Sequence, residues 1–150
     1  MMHSKRIQKE IADLRKSSNS DIITIEPQPG NDLSKWTGTL LKPPEPYSGG
    51  IYKLKITIPP DYPFKPPHIV FDTPIFHPNI SQDGIICVDI LKNNWSPALT
   101  LERIMLSIMM LLETPNPDDP LDAGAASLYK RNREEYNKRV KEHVSKYAKE

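Results

Sequence analysis

The chain is expected to fold as an α+β domain. It should run as an N-terminal helix, a four-stranded antiparallel meander, a long irregular loop, a central helix and two further helices. Two observations predict this. All 16 prolines lie between Pro27 and Pro120, so both ends are free of helix breakers. Both ends also space their apolar residues at helical intervals, whereas the middle holds short β-branched and aromatic runs between turn residues. The length of 150 residues is that of one domain, taken as 1–150, able to bury a core without covalent staples.

In the first element Ile7, Ile11 and Leu14 form one apolar stripe, and Ser4 is placed to cap the helix. Lys5, Arg6, Lys9, Arg15 and Lys16 flank that stripe. Taken alone, they read as a solvated face, with a docking surface for an acidic partner as the sharper alternative. Four strand-like runs follow: ITIEP, WTGTLL, IYKLKITI and HIVF. In the third, Tyr52, Leu54, Ile56 and Ile58 alternate with Lys53, Lys55 and Thr57, the pattern of a half-buried antiparallel strand. The separators are Pro-Gly-Asn-Asp at 29–32, Ser-Gly-Gly at 48–50 and PPDYPFKPP at 59–67. They are too short for crossover helices, which leaves a meander.

Between Phe71 and Leu99 little periodicity remains, and so long an irregular stretch inside a domain is usually functional. Thr100 is then a good N-cap. Leu101, Ile104, Met105, Ile108, Met109, Leu111 and Leu112 cover most of a helix circumference, which predicts a central, buried helix. Pro115 and Pro117 stop it. Asp122 can start a short helix to Arg131, and Asn132 another, with Tyr136, Val140, Val144 and Tyr147 as its stripe.

Bulk composition excludes some classes of function. Lys+Arg 20 against Asp+Glu 19 gives +1, which is not the charge of a strongly basic nucleic-acid binder. The start lacks a signal-type apolar run, and no segment nears the length of a membrane span. With one cysteine there is no internal disulfide. The expected protein is soluble and intracellular, cytoplasmic with the nucleus as a second compartment.

That cysteine, Cys87, lies in HPNISQDGIICVDIL. With His77 it suggests a nucleophile and base, although His77, pinned before a proline, reads more readily as structural. The amide of Asn79 is a neutral donor for an oxyanion, or a clamp on its own loop. Asp118 and Asp119, between prolines, read as turn residues or as a carboxylate brought to the thiol to assist an amine. His68, His77 and Cys87 as metal ligands lack the paired spacings of zinc sites, so no metal is expected. Gly49-Gly50 lacks the pattern of a phosphate loop.

Six motifs, in order, sharpen this reading: PPEPYSGG at 43–50, DYPFKPP at 61–67, HPN at 77–79, GIICVDIL at 84–91, WSPALT at 95–100 and NPDDPL at 116–121. Over essentially its whole length the chain resembles the ubiquitin-conjugating enzymes, and is most similar to small ubiquitin-type members that consist of the catalytic core. The resemblance implies that Cys87 takes ubiquitin as a thioester from the activating enzyme and passes it, usually with a ubiquitin ligase, to a substrate lysine. No cofactor is bound, and ATP is consumed upstream by the activating enzyme.

Residue by residue, the resemblance makes Asn79 the oxyanion or loop-ordering amide, Asp119 the acid that orients the lysine, and His77 a loop organiser. Asp89 and Asn116 would line the same mouth. Lys5, Arg6 and Lys9 match the face met by the activating enzyme and, in part, by ligases. Pro63 and Phe64, with Ser96, Pro97 and Ala98, match the loops gripped by RING and HECT ligases; without the resemblance Phe64 reads as core. Val88 replaces a frequent leucine, and Lys92 and Asn94 bear on ligase contacts near the mouth. Thr24 replaces a backside serine, which puts non-covalent binding of a second ubiquitin in question. The competing functions are conjugation of another ubiquitin-like modifier, a catalytically dead ubiquitin-binding module of the same fold, and a Cys-His hydrolase.

Overall fold

The computed structural model describes residues 2–30 and 32–149. The chain runs α1 (Met2–Lys16), β1 (Ile23–Pro27), β2 (Lys35–Leu40), β3 (Tyr52–Thr57), β4 (His68–Phe71), a 3-10 turn at Asp89–Leu91, α2 (Leu101–Glu113), α3 (Ala123–Arg131) and α4 (Arg133–His143), which ends in a π turn over Val144–Ala148. The strands form one antiparallel sheet in chain order, β1-β2-β3-β4, which is a meander. This is the expected α+β order. Asn31, in the first turn named above, lies outside the described residues.

Register follows from the alternation of side chains. In β3 Tyr52, Leu54 and Ile56 are buried and Lys53, Lys55 and Thr57 exposed. Shifting the strand by one residue would exchange the two faces. Thr24 pairs with Thr39, and Thr39 with Lys53, so the outer face of the sheet carries a row of hydroxyls and an ammonium. The inner face packs on α2, whose Leu101, Ile104, Met105, Ile108 and Leu112 are buried. Gly38 in β2 lies directly under α2: a Cβ there would stand 2.7 Å from the Met105 methyl, the flexible end of that side chain. From α1, Ile7, Ile11 and Leu14 close the same core.

The caps are local and follow the sequence. The Thr100 side chain accepts from the Arg103 amide at 3.2 Å, Asp122 from Ala125 at 3.0 Å and Asn132 from Glu135 at 3.2 Å. Two boundaries differ from expectation. α1 begins at Met2, so Ser4 lies inside its first turn and not at the cap. At the other end Tyr147 is 43% exposed and Ala148 only 3%. The π turn adds a residue to the last helical turn, so the buried stripe Tyr136, Val140, Val144 passes to Ala148 in place of Tyr147.

Candidate active site

The irregular stretch after β4 is fastened at several points. At its base the Phe71 amide donates to Gly84 O at 2.9 Å, and Val70 bridges Ile85. Gly84 has φ +88, and a Cβ there would meet Phe71 O at 2.1 Å, so only glycine fits. Further on, the Ser81 amide donates to Ile85 O at 2.9 Å, and the Cys87 amide to Asn79 O at 3.0 Å. The apolar flanks of Cys87 do not act alike. Ile86 is buried and Val88 and Ile90 pack partly on the core, but Ile85 is 50% exposed. Ile85 therefore does not anchor the loop through its side chain; its main chain does that work.

The HPN segment is the inner brace. His77 is fully buried. Its Nε2 lies 2.7 Å from Leu111 O, and its Nδ1 accepts the Asn79 amide at 3.0 Å. These partners fix the tautomer with hydrogen on Nε2 and leave no ring nitrogen for the thiol. Burial lowers the His77 pKa to about 4, so the ring is neutral. Asn79 is equally committed. Its Nδ2 donates to Asn116 O at 2.7 Å and Asp119 O at 3.1 Å, while its Oδ1 accepts the Asn116 amide at 2.8 Å. With both amide hydrogens occupied, the side chain in this geometry clamps the loop, the second of its two expected roles.

That clamp brings the NPDDPL segment to the thiol. Cys87 Sγ lies 3.6 Å from Asp119 Oδ2, although 32 residues separate them. Asp118 points elsewhere and pairs with Lys130 Nζ at 2.7 Å. The Leu121 and Asp122 amides both donate to Pro78 O, which closes the same seam. The thiol is partly exposed. Burial raises its pKa first; the Asp119 carboxylate raises it further, and the Lys92 ammonium opposes both. Asp89 is exposed and opens the 3-10 turn, where its carbonyl accepts from Lys92 and Asn94. Asn116 is exposed beside the clamp. A partly exposed thiol with a carboxylate beside it has the chemistry that acyl transfer to an amine requires.

His68, His77 and Cys87 do not converge as a ligand set. Among the described residues no group of three His, Cys, Asp or Glu side chains is arranged to hold a metal. Nor, among those residues, is any helix long and apolar enough to cross a membrane.

The residues expected to meet partners divide into two sets. Lys5 and Lys9 are exposed on α1, with Lys9 3.9 Å from Asp13. Arg6 is committed within the molecule: Nε donates to Glu10 Oε2 at 2.8 Å, and Nη2 to Pro97 O at 2.8 Å and Leu99 O at 2.9 Å. Its guanidinium therefore fixes α1 to the loop before α2, while the side chain stays 28% exposed on the expected partner face. Phe64 is 65% exposed beside half-buried Pro63, and Pro97 and Ala98 are exposed beside half-buried Ser96. Trp95 Nε1 donates to Pro63 O at 3.0 Å and ties these two loops together. Sequence reasoning missed Glu10, Tyr62 and Trp95; a charged residue on the apolar side of α1 was the one available signal.

Comparison with known proteins gives a consistent assignment. The family model described as ubiquitin-conjugating enzyme matches residues 6–144. The fold is similar to the E2 domain of a Toxoplasma gondii ubiquitin conjugating enzyme, with a TM-score of 0.89 and 41% identity, covering 98% of this chain and 99% of that one. It is similar as well to a Plasmodium yoelii protein assigned as a ubiquitin conjugating enzyme, with a TM-score of 0.89 and 45% identity, covering 97% of this chain and 94% of that one. With the matched model extending from the first helix to the last, the chain belongs to the ubiquitin-conjugating enzyme family.

Proposed function

We propose that the chain accepts ubiquitin on Cys87 as a thioester and transfers it to a lysine. The Cys87 thiolate attacks the thioester carbonyl presented by the activating enzyme, and the activating enzyme's thiolate leaves. A lysine amine then attacks the new thioester. The C–N bond forms, Cys87 leaves as thiolate, and the amine proton passes to Asp119 or to water. A free lysine has a pKa of about 10.4, so a carboxylate at the mouth serves to hold the amine and favour its deprotonation. In this reading His77 and Asn79 hold the loop, and Asp89 and Asn116 shape the mouth. Lys5 and Lys9 face the activating enzyme, while Pro63, Phe64, Ser96, Pro97 and Ala98 face a RING or HECT ligase. No cofactor takes part, and ATP is used upstream.

The observation that carries this reading is the 3.6 Å approach of Asp119 Oδ2 to the sole thiol. The test is a loading reaction with activating enzyme, ubiquitin and ATP, resolved on gels with and without reductant. A reductant-sensitive adduct on the wild type that is absent from Cys87→Ala is expected. If no adduct forms with ubiquitin, the reading fails, and loading with another ubiquitin-like modifier instead would reassign the substrate.

A further inference from the structure

Glu10 is a carboxylate only 7% exposed, and no step of the transfer uses it. Its oxygens gather donors from three segments. Oε2 accepts from Arg6 Nε at 2.8 Å and from the Tyr62 hydroxyl at 2.7 Å, and Oε1 accepts the Leu101 amide at 2.6 Å. Leu101 is the first residue of α2, so an α1 side chain supplies the anion at the positive end of the central helix. Arg6 extends the network to Pro97 O and Leu99 O, and its guanidinium lies 5.7 Å from the centre of the Tyr62 ring. The Tyr62 and Trp95 rings stand 5.9 Å apart. Phe64 follows two residues after Tyr62, and Pro97 two after Trp95.

We propose that Glu10 is a positioning residue for ligase-assisted transfer. Its carboxylate sets the loop bearing Phe64 against the loop bearing Pro97 and Ala98, so that a ligase meets a surface already assembled. This rests on the reading of those loops as the ligase-docking surface. The two halves of that surface come from loops more than thirty residues apart in sequence. Loops ordered only on binding would lose affinity to that ordering. A buried carboxylate with every donor in place is costly to disturb, which makes it a firm reference point for both loops.

The test is single-turnover discharge. The ubiquitin thioester is formed, the activating enzyme is quenched, and a RING domain that accelerates discharge of the wild-type thioester is titrated. Discharge onto free lysine without the RING domain is followed in parallel. In Glu10→Gln one of Arg6 Nε–H or the Leu101 amide faces an amide hydrogen instead of an acceptor. The half-saturating RING concentration is expected to rise about tenfold, the scale of one buried donor left unsatisfied. The ligase-free rate and the rate at saturating RING domain stay unchanged. Tyr62→Phe, which removes one donor alone, shifts the half-saturation the same way by a smaller factor, and decides the matter if Glu10→Gln does not fold. The proposal is overturned if the half-saturation does not move, or if the ligase-free rate falls by the same factor. Phe64→Ala separates the two levels: if it leaves the half-saturation unchanged, the docking surface itself is misassigned. If Phe64→Ala raises it and the Glu10 and Tyr62 variants do not, positioning alone is wrong.

Discussion

Three charged side chains act on the Cys87 thiol, and the two strongest each make a separate prediction. Asp119 raises its pKa and Lys92 lowers it, on top of the upward push of burial, and Asp89 adds a weaker upward push. The alkylation rate of Cys87 by iodoacetamide, followed against pH, should therefore move to lower pH in Asp119→Asn and to higher pH in Lys92→Gln. In the proposed transfer the same carboxylate has the opposite consequence. Asp119→Ala should slow lysine discharge by about a hundredfold, the scale of a lost acid–base group, while loading is not slowed. Equal slowing of both steps would remove Asp119 from its assigned role. His77 makes a prediction for stability. Its folded pKa of about 4 lies below the ordinary 6.5, so below pH 6.5 the unfolded chain binds the extra proton. Stability from this group is full above pH 6.5 and declines as pH falls towards 4, by about 3 kcal/mol in total. Urea unfolding from pH 7 to 4 checks this: His77→Gln should be less stable at pH 7 yet show a shallower fall than the wild type.

Among the elements, the base of the loop that carries Cys87 and the end of α4 both depend on backbone geometry. Gly84→Ala places a methyl 2.1 Å from Phe71 O on a residue at φ +88. Two main-chain segments would have to separate, so a loss of about 3 kcal/mol or more is expected in urea unfolding. A loss under about 1 kcal/mol would mean that the loop base slides without cost. At the C-terminal turn Tyr147→Ser should change stability by less than about 0.5 kcal/mol, whereas Ala148→Asp should cost several kcal/mol. The reverse order would put Tyr147 back in the core. Period-2 alternation in β3, the caps at Thr100, Asp122 and Asn132, and the apolar girth of α2 were all legible, because each is decided by neighbours a few residues away. The π turn was not: a single extra residue per turn leaves no mark on an apolar pattern, and it exchanged Tyr147 for Ala148.

At the scale of the whole molecule, what escaped sequence reasoning is contact between distant segments. Cys87 and the two candidate acids were visible as chemistry, but choosing Asp119 over Asp118 from the residues alone needed the clamp by Asn79, 40 residues away. Arg6 looked like one more surface cation, and only its bonds to carbonyls 91 and 93 residues on make it part of the frame. Phe64 reads as core by type, yet its side chain stands outside while Tyr62 takes the buried place. The Asn79 clamp has a consequence for fluctuations. Three amides end on this short segment: Asn79 on the His77 ring, Cys87 on the Asn79 carbonyl and Asn116 on the Asn79 side chain. A fluctuation that frees one loosens the anchor of the others, so native-state hydrogen exchange should give all three a common opening free energy. Asn79→Ser should lower that free energy at Cys87 and Asn116 together, and unequal protection in the wild type would show the segments to be independent. Cys87 and Asp119 are then brought together and parted as one unit, so a partly opened molecule holds neither in place without the other.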